Sequence, residues 1–129
     1  MAREPATAYQ WVQSIREGLP AASAMAFKDA LGLTNEELSG LLGVSARTLA
    51  RLDPRKSRLD LVASDRLVRS ARLFSIAEEV LEDREAAASW LKSPQRALEG
   101  QVPLQLAHTD VGIRAVEALL GRMEHGVYT

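Results

Sequence analysis

The stretch "TNEELSGLLGVSARTLARLD", Thr34 to Asp53, decides the fold of this 129-residue chain. Thr34 followed by Glu37 forms a capping box, which predicts a helix that begins directly after Thr34. Gly43 predicts a left-handed turn at the end of that helix. Ser45 predicts the cap of a second, shorter helix. Two short helices joined by a glycine turn are typical of a helix-turn-helix motif.

The second helix of this motif indicates which residues would contact DNA. Helix-turn-helix proteins present the outward side chains of that helix to the major groove, where an arginine such as Arg47 can bind a guanine edge. Basic residues after the helix would hold phosphates. The candidate DNA-binding residues are Ser45, Arg47, Thr48, Arg51, Arg55, Lys56 and Arg58. A helical hairpin that binds no ligand is the alternative.

The distribution of charge favours DNA binding, although the net charge is only -1. Residues 47–72 contain eight basic and three acidic side chains, a net charge of +5, and both flanking segments are acidic. The alternative is that these arginines only keep a helix face in water. Because the basic segment starts inside the second helix of the motif, we favour a role in DNA binding.

The composition is that of a globular domain, with 47% hydrophobic and 26% charged residues. No apolar run is long enough to cross a bilayer, and the N-terminus has no apolar signal core. The chain has no cysteine, which excludes disulfides and thiolate metal sites. We therefore expect a cytoplasmic protein that does not contact membranes.

Hydrophobic periodicity predicts an all-α chain whose short links pack the helices as a bundle. The predicted helices are 7–17, 22–31, 35–42, 46–52, 59–81, 84–92 and 110–124, with short turns that begin at Pro94 and Pro103. The predicted core of the C-terminal third consists of Trp90, Leu98, Leu104, Leu106, Val116, Leu119 and Leu120.

The C-terminal sequence resembles a known family. The run "WLKSPQRALEGQVPLQL" (90–106), then Gly112, Val116 and the ending "LLGRMEHGVY" (119–128), resembles the toxin-binding domain of the Xre/MbcA/ParS antitoxins, and the likeness covers residues 73–128. The preceding helix-turn-helix suits the Xre type. The resemblance implies an antitoxin of a bacterial type II toxin-antitoxin system. Such an antitoxin is all-helical and dimeric, neutralises a RES-domain toxin that consumes NAD or transfers ADP-ribose, and represses its own promoter.

On this basis the chain divides into a helix-turn-helix region, residues 1–72, and a toxin-binding domain, residues 73–129. The expected architecture is an Xre-like bundle packed with a C-terminal helical domain. The expected partners are the cognate RES-domain toxin, operator DNA and a second copy of the chain, and no cofactor is expected.

The C-terminal tail is the candidate for contact with the toxin. Tyr128 combines a large apolar area with a polar tip, which suits a concave site, and the resemblance implies insertion into the toxin's cleft. The alternative is a frayed end whose Tyr128 folds back on the core. The candidate toxin-binding residues are Arg122, Glu124, His125, Gly126, Val127 and Tyr128.

Dimerisation is expected because one short recognition helix buries too little surface for tight DNA binding. The long helix carries an apolar stripe that could form either the shared core or the pairing surface: Leu67, Val68, Ala71, Phe74 and Ile76.

An enzyme is the competing class, and the sequence disfavours it. His108 and His125 are the only histidines, and their spacing makes no metal site. The acidic residues between Glu78 and Glu85 lie at a helix end, where a solvated face is expected. We therefore expect no catalytic residues. The remaining alternative is a stand-alone transcriptional repressor with a C-terminal dimerisation or ligand-sensing domain.

Overall fold

The computed structural model describes residues 8–126. Within this range the chain forms eight α-helices and one 3₁₀ turn, which confirms the predicted all-α class. In order they are α1 (Ala8–Glu17), α2 (Ala21–Leu31), α3 (Asn35–Leu42), α4 (Ala46–Arg51), α5 (Leu61–Leu81), α6 (Arg84–Lys92), the 3₁₀ turn (Arg96–Leu98), α7 (Pro103–Leu106) and α8 (Asp110–Glu124). The predicted start of the first helix at residue 7 lies outside the described residues.

The caps of the helix-turn-helix form as the sequence predicts. Thr34 Oγ1 accepts a hydrogen bond from Glu37 N at 3.0 Å, and Glu37 Oε1 accepts one from Thr34 N at 2.8 Å. Ser45 Oγ caps α4 by accepting from Thr48 N at 3.0 Å. These bonds satisfy backbone donors that a helix start leaves free, and they fix where α3 and α4 begin.

The start of α5 differs from the prediction. The helix begins at Leu61 rather than at residue 59, because the Asp60 side chain caps it by accepting from Ala63 N at 2.8 Å. Leu59 is buried, and its N–H donates to Leu19 O at 2.8 Å. Leu59 therefore contributes to the core as extended backbone, which the helical periodicity did not distinguish.

The turn predicted to begin at Pro94 begins instead at Arg96. Gln95 is extended and its N–H donates to Gln101 O at 3.0 Å, so the chain first forms an isolated bridge. The other predicted turn is correct, since Pro103 is the first residue of α7.

A single hydrophobic core joins the helices of both halves of the chain. Phe27 of α2 and Phe74 of α5 pack edge to face, with ring centroids 6.4 Å apart. The predicted C-terminal core residues are buried except Trp90 and Leu106, which are half-buried against the same core. The largest fully buried hydrophobic side chains are Leu31, Leu38, Leu42, Leu73, Leu91, Leu120, Val116 and Pro103.

The long helix α5 is central to this arrangement, because it packs against α1, α3, α6 and α8. Of its apolar stripe, Leu67 and Phe74 are buried in the core, and Val68, Ala71 and Ile76 are half-buried. The expected division between residues 72 and 73 falls inside this helix. The two halves of the chain therefore share one continuous element.

Candidate functional site

The turn between α3 and α4 requires glycine because of its backbone conformation. Gly43 has φ 72°, in the left-handed region, and its N–H donates to Ser39 O at 2.9 Å. A Cβ built at Gly43 would also displace the guanidinium of Arg66 on α5, the flexible end of a long side chain. The sequence predicted the left-handed turn, but it gave no sign of the contact with Arg66, which lies on a distant helix.

The helix α4 presents a polar, basic surface. Arg47 and Arg51 are exposed and lie four positions apart, so they share one face of the helix. Neither has a carboxylate partner among the ion pairs of residues 8–126. The hydroxyl of Ser45 donates to Thr48 Oγ1 at 2.9 Å while it caps the helix, so these two side chains are already ordered. The surface can therefore offer two free guanidinium groups and the Thr48 hydroxyl to a ligand.

The loop after α4 extends this basic surface. Arg55 and Lys56 are exposed, and the Asp53 carboxylate fixes the loop by accepting from Arg55 N at 2.9 Å. Arg58 behaves differently, because its Nη1 donates to Gly18 O at 2.8 Å. Arg58 therefore ties the loop to the turn between α1 and α2, a structural contact that the sequence did not indicate.

At the other end of the chain, α8 leads into the candidate toxin-binding residues. Arg122 is half-buried, and its Nε is buried without a hydrogen-bond partner among the described residues. Glu124, His125 and Gly126 are exposed, and Gly126 turns the backbone out of the helix with φ 74°. The two further candidates, Val127 and Tyr128, lie outside the described residues.

The start of α8 is fixed by a close approach to α7. Thr109 Oγ1 accepts from Gly112 N at 3.0 Å and caps the helix. A Cβ at Gly112 would collide with the backbone carbonyl of Leu106, so only glycine fits there. The glycine at this position, one of the landmarks of the family resemblance, has a packing role.

The two candidate surfaces lie at opposite ends of a pair of parallel helices. His108 lies two residues before α8 and near Arg66 of α5: partial burial and, secondarily, the charge of Arg66 lower the pKa of His108. Further along both helices, Arg72 Nη2 and Glu117 Oε2 are 3.3 Å apart. The helices α5 and α8 therefore run in the same direction. The 15 residues of α8 span roughly 22 Å, which separates its C-terminus from the turn beside Arg66.

The described residues offer no arrangement for a metal or a membrane span. Within residues 8–126, no group of three histidine, aspartate or glutamate side chains is placed to hold a metal ion. None of the helices in that range is long and apolar enough to cross a bilayer.

Comparison with known families matches both halves of the chain. Residues 10–72 match the antitoxin Xre-like helix-turn-helix domain. Residues 77–126 match the antitoxin Xre/MbcA/ParS C-terminal toxin-binding domain. The first match ends and the second begins within α5.

Individual relatives agree with these matches. The antitoxin Xre of Photorhabdus laumondii is 27% identical over 114 residues, which cover 88% of this chain and 77% of that protein. The mycobacterial cidal antitoxin MbcA of Mycobacterium tuberculosis is 34% identical over 98 residues, which cover 76% of this chain and 85% of MbcA.

A solved structure is similar over most of the chain. It is the crystal structure of the M. tuberculosis MbcT-MbcA toxin-antitoxin complex, in which the matched chain is 32% identical. The TM-score is 0.61, and the match covers 86% of this chain and 98% of that one. Together with the family matches, this likeness identifies the chain as a member of the Xre/MbcA/ParS antitoxin family, with an Xre-like helix-turn-helix domain followed by a toxin-binding domain.

Proposed function

We propose that this antitoxin binds and neutralises a RES-domain toxin that consumes NAD or transfers ADP-ribose from it, and that it represses its own operon by binding DNA. The observation that carries the proposal is the match of residues 77–126 to a toxin-binding domain. The similarity to an antitoxin crystallised with its toxin supports it. In this proposal the chain acts by binding and performs no catalysis.

Toxin contact is assigned to the end of α8 and the residues that follow it. The exposure of Glu124, His125 and Gly126 supports this assignment, since these residues are accessible to a partner. Arg122 would contribute from a half-buried position in the last turn. Val127 and Tyr128 would enter the toxin's cleft, where an aromatic ring supplies contact area with few rotamers to order.

DNA contact is assigned to α4 and the loop that follows. Arg47 would reach a base edge in the major groove, and Arg51, Arg55 and Lys56 would hold phosphates. The support is their exposure and the +5 charge of residues 47–72. Arg58 would act mainly by holding the loop, because its guanidinium donates to Gly18 O.

The distance between the two surfaces supports simultaneous binding. The 15 residues of α8 span roughly 22 Å, so contact of a toxin with the tail alone leaves α4 accessible to DNA. The proposed repressor could therefore act either as free antitoxin or as a complex with the toxin.

The antitoxin is further proposed to act as a homodimer. α1 packs against α5, and both leave large apolar side chains in water: Tyr9, Trp11 and Val12 on α1, and Leu61 and Val62 at the start of α5. Since Leu67 and Phe74 are buried in the core, the exposed residues are the better candidates for the pairing surface.

Co-expression with the adjacent open reading frame tests the proposal. A tagged antitoxin should bring down the neighbouring gene product, and the toxin expressed alone should stop growth and lower cellular NAD. The proposal fails if no second protein co-purifies and the neighbouring gene is harmless. That result would favour a stand-alone transcriptional repressor.

A further inference from the structure

A cleft of about 500 Å³ lies between α3, the helix that packs on α4, and the α6–α7 region, and it includes none of the residues assigned above to DNA or toxin contact. Its floor is apolar: Val102 is half-buried, and Leu33, Leu41 and Leu104 belong to the core and expose only a small area. Residues of α3 line one side of this cleft, and residues of α6 and α7 line the other. α3 itself packs on α4 and α5, and α7 packs on α6 and α8. Its volume lies within the range of sites that hold ligands or partner side chains.

Gly40 keeps one wall of the cleft open. It lies inside α3, where glycine is less favourable than alanine, and it has no turn to make. A Cβ built at Gly40 meets no atom within 4 Å, so packing does not require glycine there. A larger side chain at this position would therefore project into the cleft without disturbing the core.

The charged groups at the rim favour a basic occupant. Glu36 and Glu37 lie on the α3 side, and Lys92 lies on the α6 side. His108 also borders the cleft, and because partial burial and Arg66 lower its pKa, it adds little positive charge near neutral pH. The rim then carries one net negative charge. Two carboxylates on one wall would repel the phosphates of a nucleic acid.

We propose that this cleft is a second docking site for the toxin, and that it receives a toxin segment with an aliphatic side chain next to a lysine or arginine. The inference rests on the proposed function. The cleft is continuous with the toxin-binding domain, because Lys92, Val102, Leu104 and His108 all lie within residues 77–126. The aliphatic side chain would cover the apolar floor, and the cation would approach Glu36.

Filling the cleft tests the proposal. Gly40→Met should lower the affinity for the purified toxin by about tenfold or more, since it occupies the space that the toxin segment needs. Gly40→Ala is the matched control: it changes the helix backbone in the same way but is too small to fill the cleft, so it should bind like the original protein. Neither variant should lower the midpoint of thermal unfolding.

The charge of the occupant is tested separately. Glu36→Gln should weaken toxin binding by about threefold, while Lys92→Gln should strengthen it by a similar factor, and added salt should reduce both changes. The opposite pair of signs would indicate an acidic occupant and overturn the proposal. A Gly40→Met variant that changes the oligomeric mass but not the toxin affinity would assign the cleft to a second copy and would also overturn it.

The outcomes separate this inference from the proposed function. If the unsubstituted antitoxin binds the toxin and Gly40→Met binds equally well, only the docking cleft is refuted. If the unsubstituted antitoxin binds no toxin, both proposals fail.

Discussion

The rings of Phe27 and Phe74 meet edge to face, with centroids 6.4 Å apart and planes at 87°. One ring belongs to the helix-turn-helix region and the other to the part of α5 that follows residue 72. Arg84 adds a second contact, since its guanidinium carbon lies 5.6 Å from the centroid of Phe74. The boundary between the two family domains is therefore packed like an interior.

We expect the two rings to contribute jointly to stability. Phe27→Leu and Phe74→Leu should each destabilise the protein. The double variant should lose about 0.5–1.5 kcal/mol less than the two single losses added together, because an aromatic pair usually contributes that much beyond its buried area. Urea unfolding of the four proteins measures this coupling. Strictly additive effects would contradict it.

Two glycines of α3 and its turn should respond to alanine with opposite signs. Gly43→Ala should destabilise the protein by about 1–2 kcal/mol or more, because alanine resists φ 72° and its Cβ would displace Arg66. Gly40→Ala should stabilise it by about 0.5–1 kcal/mol, because it lies in a helix and meets no neighbour. Chemical denaturation compares the two, and equal effects would refute the explanation.

The proposed DNA surface predicts a specific loss of promoter binding. Arg47→Ala should weaken binding by about 1–3 kcal/mol. The double variant, which also carries Arg51→Ala, should bind more weakly still, and its affinity should depend less on salt concentration. Arg114→Ala is the matched control, since it removes an exposed arginine from α8. Gel shifts at fixed salt measure the affinities. The α4 assignment fails if the double variant binds like the control, and toxin neutralisation should be retained throughout.

The proposed tail contact predicts a loss of toxin neutralisation with promoter binding retained. Deletion of residues 126–129 should abolish neutralisation while unfolding free energy changes by less than about 0.5 kcal/mol and promoter binding persists. Tyr128→Ala should show a milder defect, and deletion of Thr129 alone should have little effect. Growth with co-expressed toxin and cellular NAD are the readouts. Full rescue by the truncated protein would move inhibition to another part of the toxin-binding domain.

The proposed dimer predicts a mass that depends on the exposed apolar residues. Light scattering should give a dimer at least when DNA or toxin is bound. Val62→Asp should shift it toward monomer because Val62 is 55% exposed at the start of α5. Val111→Asp, at an 81% exposed position on α8, should leave the mass unchanged. A monomer under every condition would count against dimerisation.

The local signals in the sequence predicted most of the fold because they act within a few residues. Thr34, Ser45 and Pro103 each mark a helix start through their own side chain or ring, and α3, α4 and α7 begin where those signals indicate. The exposed arginines of α4 could also be identified, because their helical spacing determines which face they share.

Contacts between distant residues could not be predicted in the same way. Arg58 donates to Gly18 across 40 positions, and the guanidinium of Arg66 packs over Gly43. The sequence shows only that both arginines belong to a basic segment. It does not distinguish an arginine that holds a loop from one that is free for DNA, because that difference depends on which backbone carbonyl the fold brings near.

The continuity of α5 limits how such proteins can be recombined. Since the helix-turn-helix match ends at residue 72 and the toxin-binding match begins at residue 77, any junction between modules falls inside a helix. Each residue inserted or removed there turns everything that follows by about 100° around the helix axis. A chimera that joins this toxin-binding domain to another DNA-binding module must therefore preserve helical phase, and an indel of one or two residues should disrupt it more than several point substitutions.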